Sequence, residues 1–144
     1  MSNTLYERDF YAWANEQAAL LRAGKLDHAD IENIAEEIES MGRSEKRELV
    51  SRLTVLLLHL LKWRHQPAFR GTSWRLSIEE QRYRLEDHLN DNPSLTSQMD
   101  AAIPAAYRIS RVSAVRETGL SDGAFPPICP FTIDQVMDGN FRPE

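Results

Sequence analysis

A chain of 144 residues with 42% hydrophobic and 27% charged residues has the size and balance of one folded domain, outside the low-hydrophobicity, high-charge range in which chains stay disordered. The net charge of −5 argues against a general charge-driven nucleic-acid binder, and the single cysteine, Cys129, excludes an intramolecular disulfide or a cysteine-built zinc site within one chain. Met1 is followed by polar and charged residues, and the longest apolar run, residues 55–58, is far too short to span a bilayer, so the expectation is a cytoplasmic protein without membrane attachment, one helical domain over residues 1–144.

Tyr6, Phe10, Trp13, Gln17, Leu20 and Leu21 recur at spacings of three and four, which predicts a first helix with its large apolar groups on one face. Thr4 and Glu7 fit a capping box at its start, and Gly24 fits its end. Asp30 can cap a second helix that carries Ile31, Ile34, Ile38 and Met41 on one side and acids on the other. Gly42 favours a break or kink there, with Ser44 capping the next helix. The alternative is one helix running through Gly42, since Leu49, Leu56, His59 and Trp63 fall on the same face as Ile34 and Ile38, and packing could then override the glycine.

Residues 45–66 are apolar around most of the helical circumference, which places them at the centre of a bundle, and Pro67 stops them. Thr72 or Ser73 opens a fourth helix through Trp74, Ile78, Gln81, Leu85 and Leu89, ending at the turn signal Asn90, Asp91, Asn92, Pro93. Ser94 caps a fifth helix, which Pro104 should kink by removing one hydrogen bond. Residues 119–130 read as irregular, and Thr132 with Gln135 caps a short final helix that Gly139 terminates. No period-two pattern or long repeat is present. The expected class is all-α, a bundle of four to five helices with a C-terminal irregular arm over 119–144 that carries the short terminal helix.

Several of these segments together resemble a known family. They are Tyr6-Glu-Arg-Asp-Phe-Tyr-Ala-Trp13, Asn33-Ile-Ala-Glu-Glu-Ile-Glu-Ser-Met-Gly42, His59-Leu-Leu-Lys-Trp63 with Gln66-Pro67, then Trp74, Asn92-Pro93-Ser94-Leu95 and Cys129-Pro130. In this order they resemble the bacterial domain-of-unknown-function 29 family over nearly the whole chain. The resemblance implies a small helical protein of bacteria with no established activity, and it carries over no catalytic or binding residue. The stretch Gly139-Asn-Phe-Arg-Pro143 departs from relatives that have a Trp before the Pro, a difference expected to affect the tail and little else.

The candidate residues each have a structural and a functional reading. Glu37 flanks the apolar face of the second helix while Glu36 and Glu39 point away; such an acid usually bonds a neighbouring helix, for instance an Arg, but could serve as a metal ligand or general base. His59, among leucines, reads as a buried neutral imidazole, or as a partner of Glu37 across two helices. The Glu-x-x-His repeats of di-metal bundles are missing, and the contiguous Glu86, Asp87 and His88 splay around their helix. Cys129, between Pro127 and Pro130, reads as a structural thiol. Residues 62–84 interleave bases with aromatic rings, including Lys62, Trp63, Arg70, Trp74, Arg75 and Arg82, a mixture suited to protein interfaces or to single-stranded nucleic acid. With acids concentrated in 27–48, pairing of the two segments within the fold or between subunits is the structural reading.

These residues do not name a function. The expectation is a non-enzymatic helical domain that binds another protein or itself, without cofactor, through the basic-aromatic candidates above. A metal-binding or hydrolytic enzyme using Glu37 and His59 in the bundle core is the alternative, and nucleic-acid binding through residues 62–84 is the third and less favoured reading.

Overall fold

The computed structural model describes residues 4–144, so Met1, Ser2 and Asn3 of the polar opening lie outside the described residues. Regular structure in the described residues consists of α-helices and short 3₁₀ turns, without strands, so the all-α class holds. The helices are α1 (Leu5–Arg8), α2 (Phe10–Arg22), α3 (Ile31–His65), α4 (Thr72–Asp91), α5 (Met99–Thr118) and α6 (Ile133–Met137). The chain packs as two compact units, residues 1–45 and 46–144.

In the first unit the expected opening helix is interrupted. Thr4 occupies the N-cap of α1 without a side-chain bond, so the Thr4–Glu7 capping box does not form. Asp9 instead leaves the helical conformation, and its carboxylate accepts from the Ala12 N–H at 3.0 Å, which starts α2. Asp is poor inside a helix and good at its cap for the same reason: its short side chain competes for backbone donors. At the other end Gly24 adopts φ 72°, with Lys25 N–H donating to the Leu20 carbonyl and Gly24 N–H to that of Leu21, the paired bonds of a glycine C-cap.

The break favoured at Gly42 does not occur, and α3 runs unbroken from Ile31 to His65. Packing is not what overrides the glycine. Every residue from 41 to 47 is exposed, and a Cβ on Gly42 would meet nothing within 4 Å. Extending an established helix by one residue costs little beside nucleating a new one, and the Met, Arg, Glu and Lys around Gly42 are good helix formers. An ion pair from Arg43 to Glu36 at 2.9 Å bridges two turns across Gly42.

The second unit is built on α3 from Lys46 onward. Leu49, Leu53, Leu56, Leu57, Leu60 and Leu61 are completely buried, packed with Ile78 and Leu85 of α4 and with the apolar face of α5. α4 opens at Thr72, as expected, with Gly71 as its N-cap. A 3₁₀ turn (Pro93–Gln98) takes up the residues after Pro93, and α5 therefore starts at Met99 rather than after Ser94. Pro104 then falls in the second turn of α5, which passes through it as one helix. Ala102, Ala106, Ser110 and Ala114, four apart, make a buried small-residue stripe that lets α5 approach α3 closely. The Ser110 hydroxyl lies 2.7 Å from the Thr54 carbonyl of α3 and 2.9 Å from that of Ala106, a donor shared between the two helices.

The arm, 119–144, belongs to this core. Gly119 turns the chain out of α5 at φ 74°, and Phe125, Phe131 and Val136 are buried against the helices. An irregular segment bonds few of its own carbonyls and the last turn of a helix such as α6 leaves its own open, so side chains of the longer helices supply donors. Tyr107 donates its hydroxyl to the Pro126 carbonyl at 2.6 Å, Arg111 reaches the carbonyls of Asp122, Phe125 and Pro126, and Arg82 those of Gln135 and Val136. The expected capping box of Thr132 and Gln135 opens α6.

Two outcomes follow from these placements. Gly42→Ala should stabilise the protein by about 0.5–1 kcal/mol, measured by chemical denaturation, because the methyl group enters open space and the unfolded chain loses glycine's freedom. His65 packs edge-on against Phe125 with ring centroids 4.7 Å apart, and its buried Nε2 has no hydrogen-bond partner. Burial, with Arg64 acting in the same direction, pushes its pKa below 6.5. The unfolded state then binds the proton more readily, so stability is full above about pH 6.5 and falls as the pH drops toward the depressed folded value. His65→Leu should flatten the acid limb of Tm against pH between 7 and 5.

Candidate functional site

In the first unit polar groups fix the spacing of the helices beneath an open apolar groove. Asp30 is the hub: its Oδ2 accepts from the Trp13 indole at 3.0 Å and the Asn33 amide at 2.8 Å, and its backbone N–H donates to Gln17 Oε1 at 2.7 Å. The Asn33 bonds, helped by Trp13 and opposed by burial, hold the Asp30 carboxyl below its ordinary range. Glu37 has a partner on a neighbouring helix as its flanking position suggests, but the partner is a tyrosine and not an arginine: the Tyr6 hydroxyl donates to Glu37 Oε1. Tyr6 closes an aromatic cluster with Phe10 and Trp13, at centroid separations of 4.7–5.8 Å.

Above this network lies a cavity of about 420 Å³, walled by Phe10, Ala14 and Leu21 of α2 and by Ile34, Ile38 and Met41 of α3. The periodicity that aims these residues at a core leaves many of them open. Phe10 is 49%, Ile38 59% and Met41 61% exposed, whereas on α2 the buried residues are Trp13 and Gln17.

His59 does not face Glu37 from a separate helix. Both residues lie on α3, six turns of one continuous helix apart. His59 is half-buried, and its Nδ1 sits 2.8 Å from the Val55 carbonyl one turn back, which assigns Nδ1 as the donor. The pairing of these two residues read from the sequence is therefore absent, and each answers to its own neighbourhood. His88 is buried with its Nδ1 3.6 Å from Glu48 Oε2.

The basic-aromatic residues of 62–84 come together with the tail of the arm. Trp63, half-buried on the core of the second unit, carries the guanidinium of Arg70 at 5.4 Å and that of Arg142 at 5.3 Å from its ring centroid. Arg70 also donates to the carbonyls of Trp63 at 2.6 Å and Pro143 at 3.4 Å. Lys62 pairs with Glu117 of α5 at 3.0 Å and lies 5.2 Å above the Trp74 ring. Arg75 and Arg84 pair with Glu79 and Glu80 on their own helix, and Arg82, 6% exposed, holds the α6 carbonyls. The partners of this segment are thus arm carbonyls, tail residues and nearby acids; in the acidic segment, Glu36 and Glu48 pair with Arg43 and Arg52 one or two turns away. The tail matters more than its departure from the family pattern suggests, since Phe141 meets Phe131 at 6.0 Å and Arg142 covers Trp63. Cys129 is half-buried, its thiol pushed up by burial and bonded weakly to the Phe131 carbonyl at 3.6 Å.

The family model for the domain of unknown function DUF29 matches residues 5–142, from the start of α1 to Arg142. The chain belongs to the DUF29 family. No curated protein and no solved structure matches it. Among the described residues of this DUF29 chain no helix is long and apolar enough to cross a membrane. Sequence reasoning misses Arg142 and the role of Asp30 as hub, because both depend on groups that come together only in three dimensions and neither sits on a periodic face.

The Tyr6–Glu37 bond has a spectroscopic consequence. The bond to Glu37 raises the Tyr6 phenol to about 12, with burial and the charges of Glu37, Glu36 and Asp30 adding to it. A folded-state value above the unfolded 10 means that this stabilisation is present below pH 10 and is lost as the pH rises through about 12. Burial also raises the Tyr107 phenol, so ultraviolet titration should find two late-ionising phenols, of which Tyr6→Phe removes one.

Proposed function

We propose that this DUF29 chain is a protein-interaction domain that joins a second copy of itself through the apolar groove of its first unit. The observation that carries the reading is the open groove, with Phe10, Ile38 and Met41 about half exposed or more over a rigid polar floor. Each such side chain contributes on the order of 1 kcal/mol when it passes from half exposure to full burial, so several together can support association.

A second copy suits this groove better than a single peptide helix. The face is two helices wide, with apolar residues from α2 and α3 on its two walls, and two such faces laid together make a four-helix arrangement in which the same patch serves both partners. Charge along α3 supports an antiparallel arrangement: Glu32, Glu36 and Glu39 precede Arg43, Lys46 and Arg47, so a reversed copy brings bases toward acids. Rim pairs of this kind set orientation more than affinity.

Sedimentation over about 10–200 μM tests the reading. The wild-type chain should pass from monomer to dimer in this range, and Ile38→Glu with Met41→Glu should hold it monomeric with its helical circular dichroism intact. A wild-type protein that stays monomeric at the highest concentration, or a dimer indifferent to the double substitution, overturns it.

A further inference from the structure

Three arginines border one small cleft of the second unit. Arg75 and Arg82 lie seven positions apart on α4 and so on one face of it, and Arg142 reaches the same place from the tail. Together with Ile78, Glu79 and Tyr83 they line a cavity of about 220 Å³. That is smaller than the cavities that take drug-sized molecules, and it fits one compact ligand.

Each guanidinium is tethered in place. Arg82, 6% exposed, donates through Nε to the Val136 carbonyl at 2.8 Å and through Nη2 to that of Gln135 at 3.1 Å. The planar group of Arg142 lies over the Trp63 ring at 5.3 Å, and Arg75 is braced by Glu79 at 3.7 Å. A ligand would therefore find these donors already ordered, without the entropy cost of collecting three long side chains.

Their charge is only partly balanced. Glu79 is engaged by Arg75 and by the Tyr83 hydroxyl at 3.3 Å, and Asp138 acts on Arg82 from nearby. Burial and the charge of Arg142 both disfavour the charged form of Arg82, against the opposing pull of Asp138. Two carboxylates thus face three cations, one of them largely removed from water. A bound anion would relieve both the repulsion and the desolvation.

A planar carboxylate is satisfied by one bidentate arginine, whereas donors from separate elements suit an oxyanion with acceptors on several sides. We propose that Arg75, Arg82 and Arg142 form a binding site for a phosphate-type oxyanion, either free phosphate or the phosphoryl group of a small phosphomonoester. The ligand would tie the tail to α4, because Arg142 comes from one and Arg75 and Arg82 from the other.

Calorimetric titration of the full chain with inorganic phosphate and with phenyl phosphate, at ionic strength held constant with sodium chloride, tests this. Saturable binding with a dissociation constant of about 1 mM or tighter is expected for at least one of them. Arg75→Gln and Arg142→Gln should each weaken it by about tenfold or more while leaving the far-ultraviolet circular dichroism unchanged. Arg82 also holds the arm, so the test rests on the other two. Tighter binding of phenyl phosphate assigns an ester, and tighter binding of inorganic phosphate assigns the free ion; either supports the site. No saturable heat with either compound up to about 20 mM, or binding undiminished in both variants, overturns it.

Discussion

Backbone carbonyls that face a core must have donors, and the C-terminal arm, which outside the short α6 is irregular, sends Phe125, Phe131 and Val136 into one. Phe125, Phe131 and Val136 complete the apolar core of the second unit, which they can do only if the carbonyls beside them are satisfied. The donors are side chains from the helices: Arg82, Arg111 and Tyr107 reach the carbonyls of Asp122, Phe125, Pro126, Gln135 and Val136. A guanidinium suits the task because its five N–H groups can serve adjacent carbonyls at once, as Arg111 does. Desolvating Arg82 costs free energy, and the two carbonyls it serves offset that cost while sparing themselves the same penalty.

The same requirement changes the meaning of the basic-aromatic segment. Read as a linear string, residues 62–84 look like a recognition surface. In three dimensions Arg70 and Arg142 stack on Trp63, Lys62 is shared by Glu117 and Trp74, and Arg82 is interior. Three of these cations brace the tail or the arm, and three arginines, Arg142 among them, border one cleft. The first unit follows the opposite economy: its polar groups, centred on Asp30, lie beneath the surface, and its apolar side chains are displayed.

How much of this could be read from the chain depends on the range of the forces involved. The helical class, the six buried leucines between Leu49 and Leu61, the glycine at the end of α2 and the Thr132–Gln135 capping box rest on neighbours within a few residues, and they are legible. Gly42 misleads because propensity is a small per-residue term, outweighed by continuing a helix already formed. Asp9 and Pro93 shift helix starts by competing locally for donors and for backbone geometry, which boundary signals resolve poorly. The candidate sites were the least legible part. The sequence marks Glu37 as a flanking acid with a structural partner, but Tyr6 lies 31 positions away, and no spacing rule selects it over an arginine. Periodicity assigns Ile38 and Met41 to an apolar face without saying whether anything covers that face.

The arm's place in the core also sets an order of events during synthesis. Arg82 waits 54 positions for the Val136 carbonyl, and Arg70 waits 73 for that of Pro143. Until those residues are made, the leucines of α3 can pair with α4 and α5 but lack their last aromatic cover. Contacts so far apart in sequence close slowly because loop entropy must be overcome before they form. The second unit therefore matures late, and the growing chain carries an apolar helix with part of its covering still unmade, the condition in which chaperones engage a nascent polypeptide.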